Sequence, residues 1–204
     1  MARPTEATRF DHALHEYIVD GGEVLPSITQ MLVQSGEVDD RFFSEDSRER
    51  GIQVHRLTLD YDLGAIEDPR AVTSKYKGWL LAWAKLVELL ERPQWLHLEE
   101  PFTHPTLRFA GTPDRVGHVL KLLSVAEIKS GPHVRAKRRG HPGPHELQTA
   151  LQAILVASTL HLRPELVTRW GLYIEGSGDC KALHFKDHAD VRRARAIIRE
   201  CCSL

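Results

Sequence analysis

The clearest periodicity in the sequence lies between residues 72 and 91. Large apolar side chains recur there at spacings of three or four: Val72, Tyr76, Trp79, Leu80, Trp83, Val87 and Leu90. That spacing places them on one face of an α-helix, the face that a globular protein buries. We therefore predict the longest helix of the chain over residues 72–91, ended by Pro93.

Other stretches predict shorter helices. Ser27 is a suitable N-cap for a helix that carries Ile28, Met31 and Leu32. A second helix is expected over about residues 46–59, with Ile52, His55 and Leu59 on one stripe. Further helices are expected over residues 146–160 and 190–202.

Strand signals lie between and around these helices. Residues 17–24 predict a hairpin that turns at Asp20-Gly21-Gly22. Residues 95–102, 107–119 and 121–129 predict a run of strands, and residues 170–175 and 181–185 a further pair. Residues 130–144 are rich in Gly, Pro, Arg and Lys, which indicates a loop. This order predicts an α/β fold with a mixed central sheet flanked by helices.

Length and composition predict one domain over residues 1–204, with an N-terminal hairpin and helices at 10–92 and a core at 93–204. The net charge of −1 gives no global sign of a nucleic-acid binder. No apolar run approaches the ~20 residues of a membrane span, and the N-terminus is polar. The three cysteines, two of them adjacent, do not suggest a disulfide framework, so we expect a cytoplasmic protein that needs no membrane.

Candidate chemistry is concentrated in residues 111–131. Asp114 is followed by Glu127 and then by Lys129. In a strand, Glu127 and Lys129 point to the same face. Two carboxylates and the carbonyl of Ile128 could hold a divalent metal, and the ammonium could orient a water or hold a phosphate. The alternative is that these are solvated charges at strand ends.

A basic run follows this segment, at the place where phosphates would lie. It consists of Arg135, Lys137, Arg138 and Arg139. We expect these side chains to contact a nucleic-acid backbone, which would make binding salt-dependent. A solvated face is the alternative, as it is for the arginines of the last helix.

The pairs Pro113-Asp114 and Glu127-Ile128-Lys129 resemble the two motif pieces of the PD-(D/E)XK nuclease superfamily. Two further segments, residues 17–32 and 50–55, resemble the N-terminal signatures of its RecB-like and phage-type exonucleases. The resemblance extends from about residue 17 to residue 160, with the pieces in the family's order.

The resemblance implies a restriction-endonuclease-like core with an N-terminal helical elaboration, and a DNA exonuclease that uses one or two Mg²⁺ or Mn²⁺ ions. His55 and Glu99 would join Asp114, Glu127 and Ile128 as metal ligands, although the adjacent Glu100 could take the place of Glu99. Gln148 matches the family's glutamine beside Lys129. Gln152 stands where the family has tyrosine, and we assign it to the nucleic acid together with Arg115 and Ser130. An iron–sulfur cluster is not expected, because no cysteine flanks these segments.

Alternatives remain open for several of these residues and for the function. His55 could be a core residue, and the two glutamines could form an ordinary polar face. A structure-specific endonuclease acting on flaps or junctions, or a non-catalytic nucleic-acid-binding protein, would fit the same fold. The resemblance favours a role in phage or bacterial DNA recombination or repair, for which a single-strand annealing protein would be a suitable partner.

Overall fold

The computed structural model describes residues 8–11, 16–38, 44–131 and 143–202. Five helices and ten strands occur in these ranges, together with a 3₁₀ turn at Pro164–Leu166. The helices are α1 (Ile28–Gln34), α2 (Glu45–Asp62), α3 (Lys77–Leu89), α4 (Pro144–Thr159) and α5 (His188–Cys201). The strands are β1 (Thr8–Asp11), β2 (Glu16–Val19), β3 (Val24–Leu25), β4 (Gln94–Leu98), β5 (Phe102–Thr103), β6 (Ala110–Gly111), β7 (Arg115–Val119), β8 (Leu122–Lys129), β9 (Thr168–Ile174) and β10 (Cys180–His184).

A five-stranded mixed sheet forms the centre, in the order β10-β9-β8-β7-β4. Strands β8 and β9 are parallel, whereas the other neighbours are antiparallel. Helix α4 connects the two parallel strands, as such a pair requires a crossover. The predicted α/β class with a mixed sheet flanked by helices is confirmed, and the arrangement is consistent with a restriction-endonuclease-like core.

Each face of this sheet is covered by its own hydrophobic core. Val125 of β8 packs in the core formed with α1, α4 and α5, which includes Leu151. Ile128 of the same strand packs in the other core, with Trp83 of α3. Because strand side chains alternate, the odd-numbered positions of β8, including Glu127 and Lys129, face α4.

The helix predicted over residues 72–91 begins later and is not the longest. Helix α3 starts at Lys77, and α2 has 18 residues against its 13. The preceding segment turns instead, since the Ser74 hydroxyl accepts the Tyr76 N–H at 3.1 Å. Tyr76 is nevertheless buried. The apolar spacing therefore predicted burial correctly at this position but not its helical conformation.

The predicted strand over residues 95–102 is interrupted. Strand β4 ends at Leu98, and Glu99 adopts a left-handed conformation with φ of 52°. Pro101, which has no N–H to donate, follows, and Phe102 pairs with Gly111 in a separate two-stranded sheet. The break leaves Glu99 at the end of the central sheet.

Two elements predicted near the start of the chain are present in the structure. Strands β2 and β3 form the expected hairpin. Ser27 caps α1, accepting the Gln30 N–H while the Gln30 side chain accepts the Ser27 N–H.

Among the helices described, none has the length and hydropathy that crossing a bilayer requires.

Helix α2 carries the expected stripe, but its buried side lies elsewhere on the helix. Val54 and Thr58 are its buried residues, whereas Ile52 is 68% exposed. Ile52, His55 and Leu59 do share a face, but that face lines an open cleft. Apolar spacing alone cannot distinguish a core from a lined cleft.

Candidate active site

Three strand ends meet at one end of the central sheet and bring three carboxylates together. The β7–β8 ladder pairs Arg115 with Ala126, so the next position along places Asp114 opposite Glu127. Glu99, directly after β4, donates its N–H to the carbonyl of Asp114 at 3.1 Å. We call this group, with His55 and Lys129, the carboxylate cluster.

Asp114 is the buried centre of the carboxylate cluster. Its Oδ2 accepts the N–H of Ile128 at 2.6 Å, and its Oδ1 lies 3.4 Å from Nδ1 of His55. Burial, and then the charge of Glu127, raises the pKa of Asp114 to about 6. Its ionised form is therefore poorly compensated by the protein alone.

Glu127 is held by three side-chain donors. Its Oε1 accepts from Nζ of Lys129 at 2.9 Å and from Nε2 of Gln148 at 2.5 Å, while its Oε2 accepts from Nε2 of Gln152 at 2.6 Å. Burial favours the neutral acid, but the Lys129 charge and the Gln152 bond outweigh burial and lower the pKa of Glu127. Lys129 also donates to Oε1 of Gln148 at 3.0 Å.

His55 reaches the carboxylate cluster from helix α2. Its Nδ1 lies 3.6 Å from Oε1 of Glu99, besides its contact with Asp114. The negative charge of Asp114, more than any other effect, raises the pKa of His55 to about 9. The adjacent Glu100 is exposed and instead pairs with His97 at 2.8 Å. Of the two neighbouring glutamates, only Glu99 therefore belongs to the cluster.

The donor set fits a hard divalent cation in chemistry. Three carboxylates and one imidazole face one another, and the buried Asp114 has an unfavourable charge that a cation would compensate. Within the described ranges, however, no group of three or more His, Cys, Asp and Glu side chains stands in a geometry that could hold a metal ion. Asp114 and Glu127 accept hydrogen bonds from protein donors there. A ligand role for the Ile128 carbonyl stays a prediction.

Arg115, which the sequence assigned to nucleic acid, is instead buried inside the protein. Its side chain is fully buried, and its Nε donates to Oδ2 of Asp62 at 2.6 Å. Further bonds go to the Thr58 hydroxyl at 3.2 Å and to the Asp114 carbonyl at 2.7 Å. Alternation along β7 turns this side chain toward α2, so Arg115 fixes that helix, and with it His55, to the sheet.

Gln152 also differs from its assignment to nucleic acid. It is 1% exposed and bonded to Glu127, because α4 lies directly over β8. The backbone carbonyl of Ser130 accepts a hydrogen bond from Nε of Arg50 at 3.1 Å. A contact of Ser130 with nucleic acid stays a prediction. The basic residues Arg135, Lys137, Arg138 and Arg139 lie outside the described residues.

Two supports of the carboxylate cluster were missed in the sequence. Asp62 neutralises Arg115 from a position 53 residues away, and no local signal points to it. Tyr17 shares a hydrogen bond of 2.9 Å with the Thr112 hydroxyl, which fixes the hairpin to the segment that precedes Asp114. At Gly111 of that segment, a Cβ would lie 2.6 Å from Cδ1 of Ile28, so the Ile28 side chain would have to shift.

The His55 pKa makes stability fall as the pH rises. The folded-state pKa of about 9 exceeds the ordinary 6.5, so the folded protein holds the imidazole proton more tightly. This contribution is fully present below pH 6.5 and is lost as the pH rises through 9. We expect metal-free protein to lose unfolding free energy across this window, measured by urea titration. The loss should be much smaller in His55→Gln, and an unchanged slope in that variant would contradict the pairing.

No protein-family profile and no curated protein sequence matches the chain. Among solved structures, it is similar to a protein from Eubacterium rectale described as "Putative exonuclease", with 11% sequence identity and a TM-score of 0.46. The similarity covers 89% of this chain and 73% of that chain. A likeness at this level does not bear on activity, and the function of this chain is therefore inferred from its own residues.

Proposed function

We propose that the protein is a metal-dependent deoxyribonuclease, which hydrolyses phosphodiester bonds in DNA as an exonuclease. One observation carries the proposal. Asp114 and Glu127 lie opposite each other at a sheet end, and Lys129 is bonded to Glu127 on the face that α4 covers. The order and spacing of these residues are those of the motif pieces that the sequence resembles.

The residues of the cluster divide into ligands and a positioning cation. His55, Glu99, Asp114 and Glu127 would hold Mg²⁺ or Mn²⁺, with the Ile128 carbonyl as a further oxygen. A bound divalent ion would supply Lewis acidity, which makes water more acidic and compensates negative charge on the phosphate. As a ligand, His55 would have to lose its proton, as would Asp114 below pH 6, so ion affinity should rise with pH.

Lys129 is the residue that would meet the substrate. Its ammonium is partly exposed, and it is oriented by Glu127 and Gln148 at 2.9 and 3.0 Å. In hydrolysis, a water oxygen forms a bond to phosphorus, a bridging P–O bond breaks, and the departing oxygen ends protonated. Lys129 would orient that water or hold a non-bridging phosphate oxygen as negative charge develops.

The two glutamines act through Glu127. Each gives its amide N–H to a different carboxylate oxygen, so together they fix the carboxylate plane. Within the described residues the Oε1 atom of Gln152 is buried without a hydrogen-bond partner.

We expect Gln152→Met to lower kcat by about tenfold to a hundredfold with little change in KM. The substitution removes a hydrogen bond that orients the Glu127 carboxylate, and it removes no contact with the substrate. Steady-state hydrolysis of labelled DNA measures this. Gln34→Met, on an exposed position of α1, is the matched control and should be silent. A rise in KM at constant kcat would contradict a positioning role.

Digestion of DNA tests the proposed function. Purified protein with Mg²⁺ should degrade end-labelled linear DNA and leave covalently closed circles intact. Cutting of the circles would instead indicate an endonuclease, and no cutting of either substrate with Mg²⁺ or Mn²⁺ would overturn the proposal. A role in phage or bacterial recombination or repair, with an annealing protein as partner, would be the natural context for an exonuclease.

A further inference from the structure

An open cleft adjoins the carboxylate cluster on the side of helix α2. Its volume is about 790 Å³, and its lining includes His55 and Glu99 of the cluster. Sites for small organic molecules typically measure roughly 300–1,000 Å³. The cleft therefore has room for a nucleotide, and anything bound there touches the candidate active site.

The lining combines apolar and cationic groups. Ile52 and Leu59 contribute aliphatic surface from the same side of α2, while Arg56 is exposed between them. Ile52 lies one helical turn before His55, and its side chain is 68% exposed. An apolar surface beside a guanidinium is complementary to a nucleotide, whose base face is apolar and whose phosphate is anionic.

The cleft is fixed relative to Lys129. Arg50, near the start of α2, donates from Nε to the carbonyl of Ser130 at 3.1 Å, directly after the lysine. Arg115 joins the same helix to the sheet through Thr58. A strand whose phosphate lies at the carboxylate cluster would thus have its neighbouring nucleotide at a defined place, against Ile52 and Leu59.

We infer that the cleft binds an unpaired nucleotide next to the scissile phosphate, with its base packed on Ile52 and Leu59 and its backbone near Arg56. The inference rests on the proposed function and adds a substrate class to it. A base that stays paired keeps its face against its neighbours in the duplex, so the cleft selects a single-stranded or frayed end. Ends with an overhang should accordingly be bound more tightly than blunt ends.

Binding of a fluorescein-labelled single-stranded oligonucleotide, measured by anisotropy in Ca²⁺, tests the inference. A series of probes carries one abasic residue at successive positions. Wild-type protein should lose about five- to tenfold in affinity at one position of the series, as expected for removal of one packed apolar face. Ile52→Ser should bind the intact probe correspondingly more weakly and show no such position.

Leu63→Ser is the matched control, because Leu63 follows the same helix, is 63% exposed and does not line the cleft. It should keep the wild-type profile. The inference would be overturned if Ile52→Ser bound the intact probe as tightly as wild type does. It would also be overturned if wild type lost affinity equally at every abasic position, or if Ile52→Ser changed in sedimentation and not in binding. If the protein binds DNA in a base-dependent way but does not hydrolyse it, the proposed nuclease function is rejected and the nucleotide site in the cleft is retained. If it hydrolyses DNA and Ile52→Ser binds the probes as wild type does, only the nucleotide site is rejected.

Discussion

Replacing Asp114 with Asn should reduce hydrolysis of linear DNA by about a thousandfold or more. The substitution removes one charged ligand from the proposed metal site, which is worth several kcal/mol in the transition state. Folding should be intact, because an amide oxygen can still accept the Ile128 N–H that Asp114 accepts at 2.6 Å. Single-turnover assays at saturating protein measure the rate.

The same substitution should not lower stability, in contrast to its effect on activity. Burial raises the pKa of Asp114 to about 6, so above that pH the folded protein carries an unfavourable charge. In metal-free buffer near neutral pH, Asp114→Asn should therefore unfold at the same temperature as wild type or higher. Wild type should gain stability from Mn²⁺, whereas Asp114→Asn should not.

Two further variants separate ion binding from other losses. Lys129→Met should lose activity but keep the stabilisation by Mn²⁺, since Lys129 is not a ligand. Glu100→Gln removes an exposed carboxylate next to the cluster and should change neither property. Near-normal activity in Asp114→Asn, or loss of activity only through unfolding, would contradict the assignment.

Arg115→Met should lower the free energy of unfolding by about 3–5 kcal/mol, the cost of leaving a buried charge without its partner. Asp62 is 3% exposed at its side chain, and it would keep only neutral indole donors, from Trp83 at 3.0 Å and from Trp95. Urea denaturation at neutral pH measures the change. Activity should fall as well, because the link from the sheet to Thr58 and the helix of His55 is lost.

The double variant Asp62→Leu/Arg115→Met distinguishes charge burial from packing. Replacing both partners with apolar side chains should restore much of the stability, because no uncompensated charge remains. Arg92→Met, which removes an exposed arginine paired with Glu88, is the control and should cost less than about 1 kcal/mol. A similar loss at both arginines would show that Arg115 is not a structural anchor.

The sequence predicted the part of the site that follows from regular strand geometry. Glu127 and Lys129 share a face of β8, as a period of two requires, and the pairing of two adjacent strands places Asp114 opposite Glu127. His55 was expected from the resemblance of its segment, and its imidazole does face Asp114. Their roles as ligands and catalytic groups stay predictions.

The remainder depends on contacts between distant residues. Arg115 reads as a surface cation until Asp62, on another element, is seen to neutralise it. Gln152 reads as a polar helix position, but α4 packs over the sheet so completely that even this amide is buried. Glu99 and Glu100 could not be separated by alternation, because the left-handed backbone at Glu99 breaks the strand there.

The most direct measurement is anomalous scattering from a crystal of the protein soaked in Mn²⁺, with data collected at the manganese absorption edge. We expect a peak within coordinating distance of the carboxylates of Asp114 and Glu127, with His55 as a neighbour, and no such peak in Asp114→Asn. Manganese bound only elsewhere on the protein, or carboxylates that turn away from each other in the soaked crystal, would contradict it.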